Sequence, residues 1–133
     1  MRDLNLVLER YNQSVTKVLE SNRKVQYQQI HSLRKQIIDQ WKKNESVTDV
    51  ELNRIFKYLY SNINQDIKKI VSLCYKTCTT FGISEEGVKM QSEAMRIQHN
   101  CMEELEADKK KLQKLKNGWS IVLAGYEDEE DQE

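Results

Sequence analysis

Proline is absent from this 133-residue chain, and glycine occurs only four times. At an ordinary usage of about 5%, a chain of this length would carry roughly six or seven prolines. Proline and glycine supply the tight turns and irregular segments of loop-rich folds, so their scarcity excludes most β-sandwich and polyproline architectures. Long helices remain, and we expect an all-α protein.

Long apolar runs and a disulfide framework are also missing. No segment approaches the ~18 apolar residues of a transmembrane helix, and the N-terminus has no basic segment followed by an apolar one. The three cysteines stand at positions 74, 78 and 101, and an odd number of thiols favours the reduced state. We therefore predict an intracellular protein, cytoplasmic or nuclear, without a membrane span.

Charge is balanced in total but not in position. The chain has 21 basic and 21 acidic residues, yet residues 127–133 hold six acids and no base. The preceding 126 residues therefore carry a net formal charge of +6. Because the acidic segment has almost no apolar content, burial cannot offset its ordering entropy. We predict a helical domain over residues 1–124 and a disordered acidic tail over residues 125–133.

The first helix is predicted over about residues 3–43, because apolar residues recur there about every 3.67 positions. The stripe consists of Leu4, Leu8, Tyr11, Val15, Leu19, Ile30, Leu33, Ile37 and Trp41. Asn22 and Gln26 occupy the two polar steps of this stripe. Polar residues in a helical seam weaken packing locally and favour one register or one partner.

A second helix is predicted over residues 49–81. Its apolar stripe is broad, so we expect this helix to lie in the centre and to contact two neighbours. Thr48 and Glu51 have the spacing of a capping box at its start. Gly82 is the expected C′ residue, after which Ile83 would fold back onto the last turn.

A third helix is predicted over residues 85–117, with Ser84 as its N-cap and Gly118 as its end. Its stripe is thinner, and three polar residues interrupt it: Gln91, Gln98 and Asp108. Three helices with short connections predict an elongated antiparallel three-helix bundle with seams of the coiled-coil type.

Catalytic and metal sites find little support in the residue pattern. His31 and His99 are the only histidines, and no serine or cysteine arrangement pairs a nucleophile with either of them. Cys74 and Cys78 could offer two thiolates to a metal, with Cys101 or His99 arriving from the third helix. However, three residues separate Cys74 from Cys78 inside a helix, where zinc loops have two, so core packing is favoured. We predict a non-enzymatic protein with no metal and no cofactor.

The apolar segment 119–124 is the strongest candidate for binding another protein. Its large side chains need burial, either against the end of their own bundle or in a groove on a partner, where Trp119 would be the anchor. The thin face of the third helix is a second candidate surface. We assign partner binding to Trp119, Ile121, Val122, Leu123, Met95 and Met102.

These features favour a helical scaffold or adaptor subunit that holds other helical proteins together, as a hetero- or homo-oligomer. The alternative is a polyanion-binding or chromosome-associated module that uses the basic body, with the acidic tail as an intramolecular screen. Basic residues occur in pairs and triplets, but most alternate with acids along solvated helix faces. Nucleic acid is therefore the less favoured partner.

Overall fold

The computed structural model describes the backbone of residues 3–43 and 49–131 and the side chains of residues 3–40, 42–43 and 50–119. These ranges contain the helices α1 (Leu4–Lys42), α2 (Asp49–Phe81) and α3 (Glu85–Asp131), and no strand. The prediction of an all-α chain with three helices is confirmed. None of the helices, over the described residues, has the length and apolar content required to cross a bilayer.

Contacts between side chains define the relative direction of α1 and α3. The hydroxyl of Tyr11 donates a hydrogen bond to the carbonyl oxygen of Ala94 at 3.2 Å. Twelve residues further along α1, Nε of Arg23 lies 3.1 Å from Oδ2 of Asp108, which is fourteen residues further along α3. Residue numbers rise together in the two pairs, so α1 and α3 run parallel.

The helix α2 runs in the opposite direction to α3. Near the start of α2, the hydroxyl of Tyr60 donates to Oε1 of Gln113 at 3.0 Å. Near its end, Sγ of Cys78 lies 4.0 Å from the carbonyl oxygen of Gln91. The chain therefore follows an up-down-up path through a three-helix bundle, as the sequence predicts.

The core is one apolar stripe shared by all three helices. Residues three and four positions apart face the same side of a helix, so the sequence periodicity translates directly into burial. The buried apolar residues are Tyr11, Val15, Leu33, Leu52, Phe56, Leu59, Ile63, Ile70, Cys74, Phe81, Ala94, Cys101, Leu105 and Leu112. Burying a Leu, Ile or Phe side chain contributes about 1.5–3 kcal/mol relative to exposure, so this stripe is the main source of stability.

Gly82 and Ser84 form the turn between α2 and α3. Gly82 has φ = 75°, a left-handed conformation that L side chains rarely adopt, and Oγ of Ser84 accepts the backbone N–H of Gly87 at 3.0 Å. The expectation that Ile83 folds back is wrong, because its side chain is 97% exposed. Nε2 of Gln91 instead donates a hydrogen bond to the carbonyl oxygen of Gly82 at 2.7 Å, just after the end of α2.

The third helix is longer than predicted. It continues through Gly118 to Asp131, so the predicted end at Asn117 is wrong. A glycine inside a helix costs only about 1 kcal/mol relative to alanine, and no proline follows it. The neighbouring Trp119 packs on Phe56 with 5.9 Å between ring centroids, which holds this part of α3 on the bundle.

Two further predictions are not tested by this fold. Thr48 of the capping box lies in residues 44–48, outside the described residues. The backbone of α3 is helical to Asp131, but the side chains beyond Trp119 lie outside the described residues. The disorder of the acidic tail in solution therefore stays a prediction.

Candidate interaction surfaces

A buried polar layer crosses the middle of the bundle. Asn22 of α1 is 1% exposed, and its Nδ2 donates to Oδ2 of Asp66 on α2 at 2.6 Å. Its Oδ1 accepts a hydrogen bond from Nε2 of Gln26 at 2.7 Å. Nζ of Lys69 lies 3.5 Å from the other oxygen of Asp66. The buried amide and carboxylate are thus both satisfied, as burial of polar groups requires.

The third helix joins this layer through Asp108. Arg23 holds Asp108 with two nitrogens, Nε at 3.1 Å and Nη2 at 3.4 Å, and Nε2 of Gln26 lies 3.2 Å from Oδ2. The hydrogen bond to Asp108 raises the pKa of Arg23. We define the polar layer as Asn22, Arg23, Gln26, Asp66 and Asp108.

The polar layer specifies how the three helices align. A shift of any helix by one turn would leave the buried Asn22, Asp66 or Asp108 without its partner, at about 1–3 kcal/mol for each unsatisfied group. The sequence pattern identified Asn22 and Gln26 as seam residues and Asp108 as an interruption. It missed Asp66, which stands three residues after Ile63 and four before Ile70 and so lies on the apolar stripe.

An exposed apolar face runs along the side of α2 and α3. Met95 and Met102 precede Gln113 by 18 and 11 residues, which are close to five and three whole turns of the helix. Because Gln113 contacts Tyr60 of α2, both methionines lie on the side of α3 that faces α2. The structure adds Val71 and Tyr75 on the adjoining side of α2, opposite this part of α3. Met95 is 53% and Tyr75 73% exposed, whereas Met102 is half-buried. We call Val71, Tyr75, Met95 and Met102 the α2–α3 face.

The structure places Trp119 on its own bundle. The indole is half-buried, and it meets the ring of Phe56 edge-on, with an interplanar angle of 71°. This is the geometry of the own-bundle alternative in the sequence prediction. The side chains of Ile121, Val122 and Leu123 lie outside the described residues. The partner-anchoring role of this segment stays a prediction.

The three thiols line the core near Tyr11. Sγ of Cys74 lies 3.9 Å from Sγ of Cys78. Burial, reinforced by Cys74, raises the pKa of Cys78 to about 11, and burial also raises the pKa values of Tyr11 and Cys101. Thiols that stay protonated are poor nucleophiles and poor ligands. Within the described parts of the chain, no three His, Cys, Asp or Glu side chains converge as a metal site.

The two histidines lie on the surface. The ring of His31 stacks on Tyr27 with 5.9 Å between centroids, and Nε2 of His99 lies 3.0 Å from a carboxylate oxygen of Glu103. Two grooves, of about 360 Å³ between α1 and α2 and about 250 Å³ between α1 and α3, have linings without histidine. Neither groove therefore pairs a nucleophile with an imidazole base.

No protein-family model matches this chain, and neither does any curated protein or solved structure. Function is therefore inferred from the surfaces of the chain itself.

Proposed function

We propose that this protein is a non-enzymatic helical adaptor whose α2–α3 face binds a helix of another protein in an intracellular complex. The observation that supports this proposal is the exposure of Tyr75 and Met95 on the same side of the bundle. When a partner removes large apolar side chains from water, the free energy of the complex falls relative to that of the separate proteins.

The shape of the face suits a helix better than an extended peptide. Antiparallel α2 and α3 lie side by side, and an apolar partner helix laid along both would add a fourth helix to the bundle. Met95 and Met102 are two turns apart, about 10 Å at 1.5 Å per residue, so a partner helix of three turns covers the face. Methionine side chains adapt to irregular partner surfaces.

A site-specific crosslink tests this proposal in cells. The photoreactive residue p-benzoylphenylalanine replaces Met95 in one variant and Tyr58 in a second. Tyr58 is an exposed side chain of α2 that stands seventeen residues before Tyr75, so it lies about 25 Å away along the helix axis and about 100° around it. Irradiation should give a discrete higher-mass product from position 95 and not from position 58. Peptide mass spectrometry of that product should identify a helical segment of the partner.

Charge substitution supplies the matched solution test. The double variant Tyr75→Glu with Met95→Glu should no longer bind the partner that crosslinking identifies, because it places two charges in an apolar interface. The variant Tyr58→Glu should retain it. Both positions are exposed, so the melting temperature should change by no more than 1–2 °C in either variant. Equal crosslinking at both positions, or full retention by the double variant, would contradict the proposal.

A further inference from the structure

The polar layer separates two parts of the bundle that differ in charge. Residues 24–43, 50–65 and 109–119, which we call the basic half, contain twelve Lys or Arg and two acids, a net formal charge of +10. Residues 3–22 and 67–107, the turn half, contain seven bases and nine acids. Most of the basic pairs that occur along the sequence thus lie at one end of the fold, whereas Lys68 and Lys69 lie in the turn half.

The cations of the basic half come from all three helices. Four lie on α1 and Lys43 directly follows its end, two lie on α2 and five on α3, and ten of the twelve side chains are exposed. Within these ranges the acids are Asp39 and Glu51. Glu45, Asp49 and the six acids of residues 127–133 lie outside the ranges and are not included in this charge. So many like charges repel one another in the free protein, and a polyanion relieves this repulsion while it releases its own counterions.

An exposed pair of aromatic rings lies among these cations. Tyr27 is 71% exposed and stacks on His31 with an interplanar angle of 7°. Tyr27 follows Arg23 by one turn, and Arg23 contacts Asp108, so the ring pair lies on the side of α1 that adjoins α3.

The register of α1 and α3 brings cations to both sides of the ring pair. Lys24 and Arg34 flank it on α1, and both are exposed. Lys111 and Lys114 follow Asp108 by one and two turns and so reach the same level on α3. A flat aromatic surface bordered by cations offers stacking for a base and ion pairs for the neighbouring phosphates.

We propose that the basic half binds single-stranded nucleic acid, with one unpaired base stacked on the Tyr27–His31 pair and the phosphates held by Lys111, Lys114 and their neighbours. A duplex offers the same phosphates but keeps its bases stacked on one another, and an anionic membrane offers no base at all. The ring pair is therefore the feature that favours a single strand. This proposal is independent of the α2–α3 face, which lies in the turn half.

Fluorescence anisotropy with the full-length chain tests the proposal. The probe is a fluorescein-labelled, mixed-sequence single strand of 20 nucleotides. With about five phosphates neutralised, the affinity should fall about 100-fold between 50 and 200 mM salt. The double variant Lys111→Glu with Lys114→Glu should weaken binding at least tenfold, and Tyr27→Ala should weaken it about tenfold through loss of the stacked base.

Matched controls come from the turn half. The double variant Lys68→Glu with Lys76→Glu and the variant Tyr75→Ala should each change the affinity less than twofold, since these residues lie across the polar layer. A duplex of the same sequence and vesicles with 30% phosphatidylserine should bind at least fivefold more weakly than the single strand.

Each of the following results would overturn the proposal. The first is absence of binding at 50 mM salt. The second is equal or tighter binding of the duplex or of the vesicles, which would assign the cations to a different polyanion. The third is an equal loss of affinity in the Lys68 and Lys76 control, or no loss in Tyr27→Ala, because either result would remove the proposed location.

Discussion

The basic half and the turn half share the same three helices and the same buried stripe, but they present different surfaces. The basic half carries a net formal charge of +10 and an exposed ring pair. The turn half is nearly neutral and contains the thiols, the turn at Gly82 and the α2–α3 face. The apolar periodicity that builds the bundle is therefore separate from the features that distinguish one partner from another.

The polar layer is where the two halves meet. Its hydrogen bonds join all three helices at one level, so it fixes the register on both sides at once. The convergence of cations on one side depends on this register, since the basic residues of α1 and α3 are more than 60 positions apart in sequence. A bundle of the same composition with a shifted register would distribute its charge differently.

The largest expected effect comes from substitution of Gly87 in the turn half. A Cβ at Gly87, in the turn half, would lie 2.8 Å from the carbonyl oxygen of Gly82 and still closer to that of Phe81. Because backbone must move to admit it, Gly87→Ala should lower the free energy of unfolding by about 3 kcal/mol. Urea denaturation followed by circular dichroism measures this change.

Gly118 in the basic half is the control for this substitution. A Cβ there meets nothing within 4 Å, and the residue lies inside α3. Gly118→Ala should therefore raise the free energy of unfolding by about 0.5–1 kcal/mol. If Gly118→Ala destabilised the protein, the open space described around Gly118 would be wrong. If Gly87→Ala had no effect, the close contact of Gly87 with the backbone of the turn would be wrong.

Trp119 gives the next largest effect, and it decides between the two roles predicted for this residue. Its ring is half-buried against Phe56, so Trp119→Ala should lower the free energy of unfolding by about 2 kcal/mol, less than a fully buried tryptophan would. Trp119→Phe should recover most of the loss. An unchanged melting temperature in Trp119→Ala would show instead that the ring is available to a partner.

The polar layer itself should respond more weakly. Asn22→Ala removes the hydrogen bonds to Asp66 and Gln26 but leaves Lys69 beside the carboxylate, so the cost should be about 1.5 kcal/mol. The exposed Asp39 is the matched control, and Asp39→Ala should change stability by less than about 0.5 kcal/mol. If the two substitutions had equal effects in thermal unfolding, the proposal that the polar layer fixes the alignment of the helices would be contradicted.

The sequence predicts the fold further than it predicts the surfaces. Apolar periodicity and the glycine at position 82 suffice for three helices and for the turn between α2 and α3, because both are local signals. The continuation through Gly118 depends on Trp119 reaching Phe56, a contact between residues 63 positions apart. The helix propensity of Gly118, which is a local property, does not predict such a contact.

The surfaces depend on register, which periodicity alone does not supply. Met95 and Met102 were predicted as partner residues, but Val71 and Tyr75 join them only once α2 is aligned with α3. Asp66 reads as an ordinary helical acid until Asn22 is placed beside it. The cation pairs likewise appear mixed with acids along the chain, and their segregation emerges only when the helices are brought together.

The smallest expected effect concerns the thiols of the turn half at alkaline pH. Burial raises the pKa of Cys78 from 9.0 to about 11, so the folded state keeps a proton that the unfolded chain releases. The stabilisation from this group is complete below about pH 9 and is lost as the pH rises through 11. Wild type should therefore lose about 1 kcal/mol more than Cys78→Ala between pH 8 and pH 10. The difference between the urea midpoints of the two proteins reports Cys78 together with Cys74 and Tyr11, which interact with it. Parallel pH profiles would mean that Cys78 is solvated in the folded state.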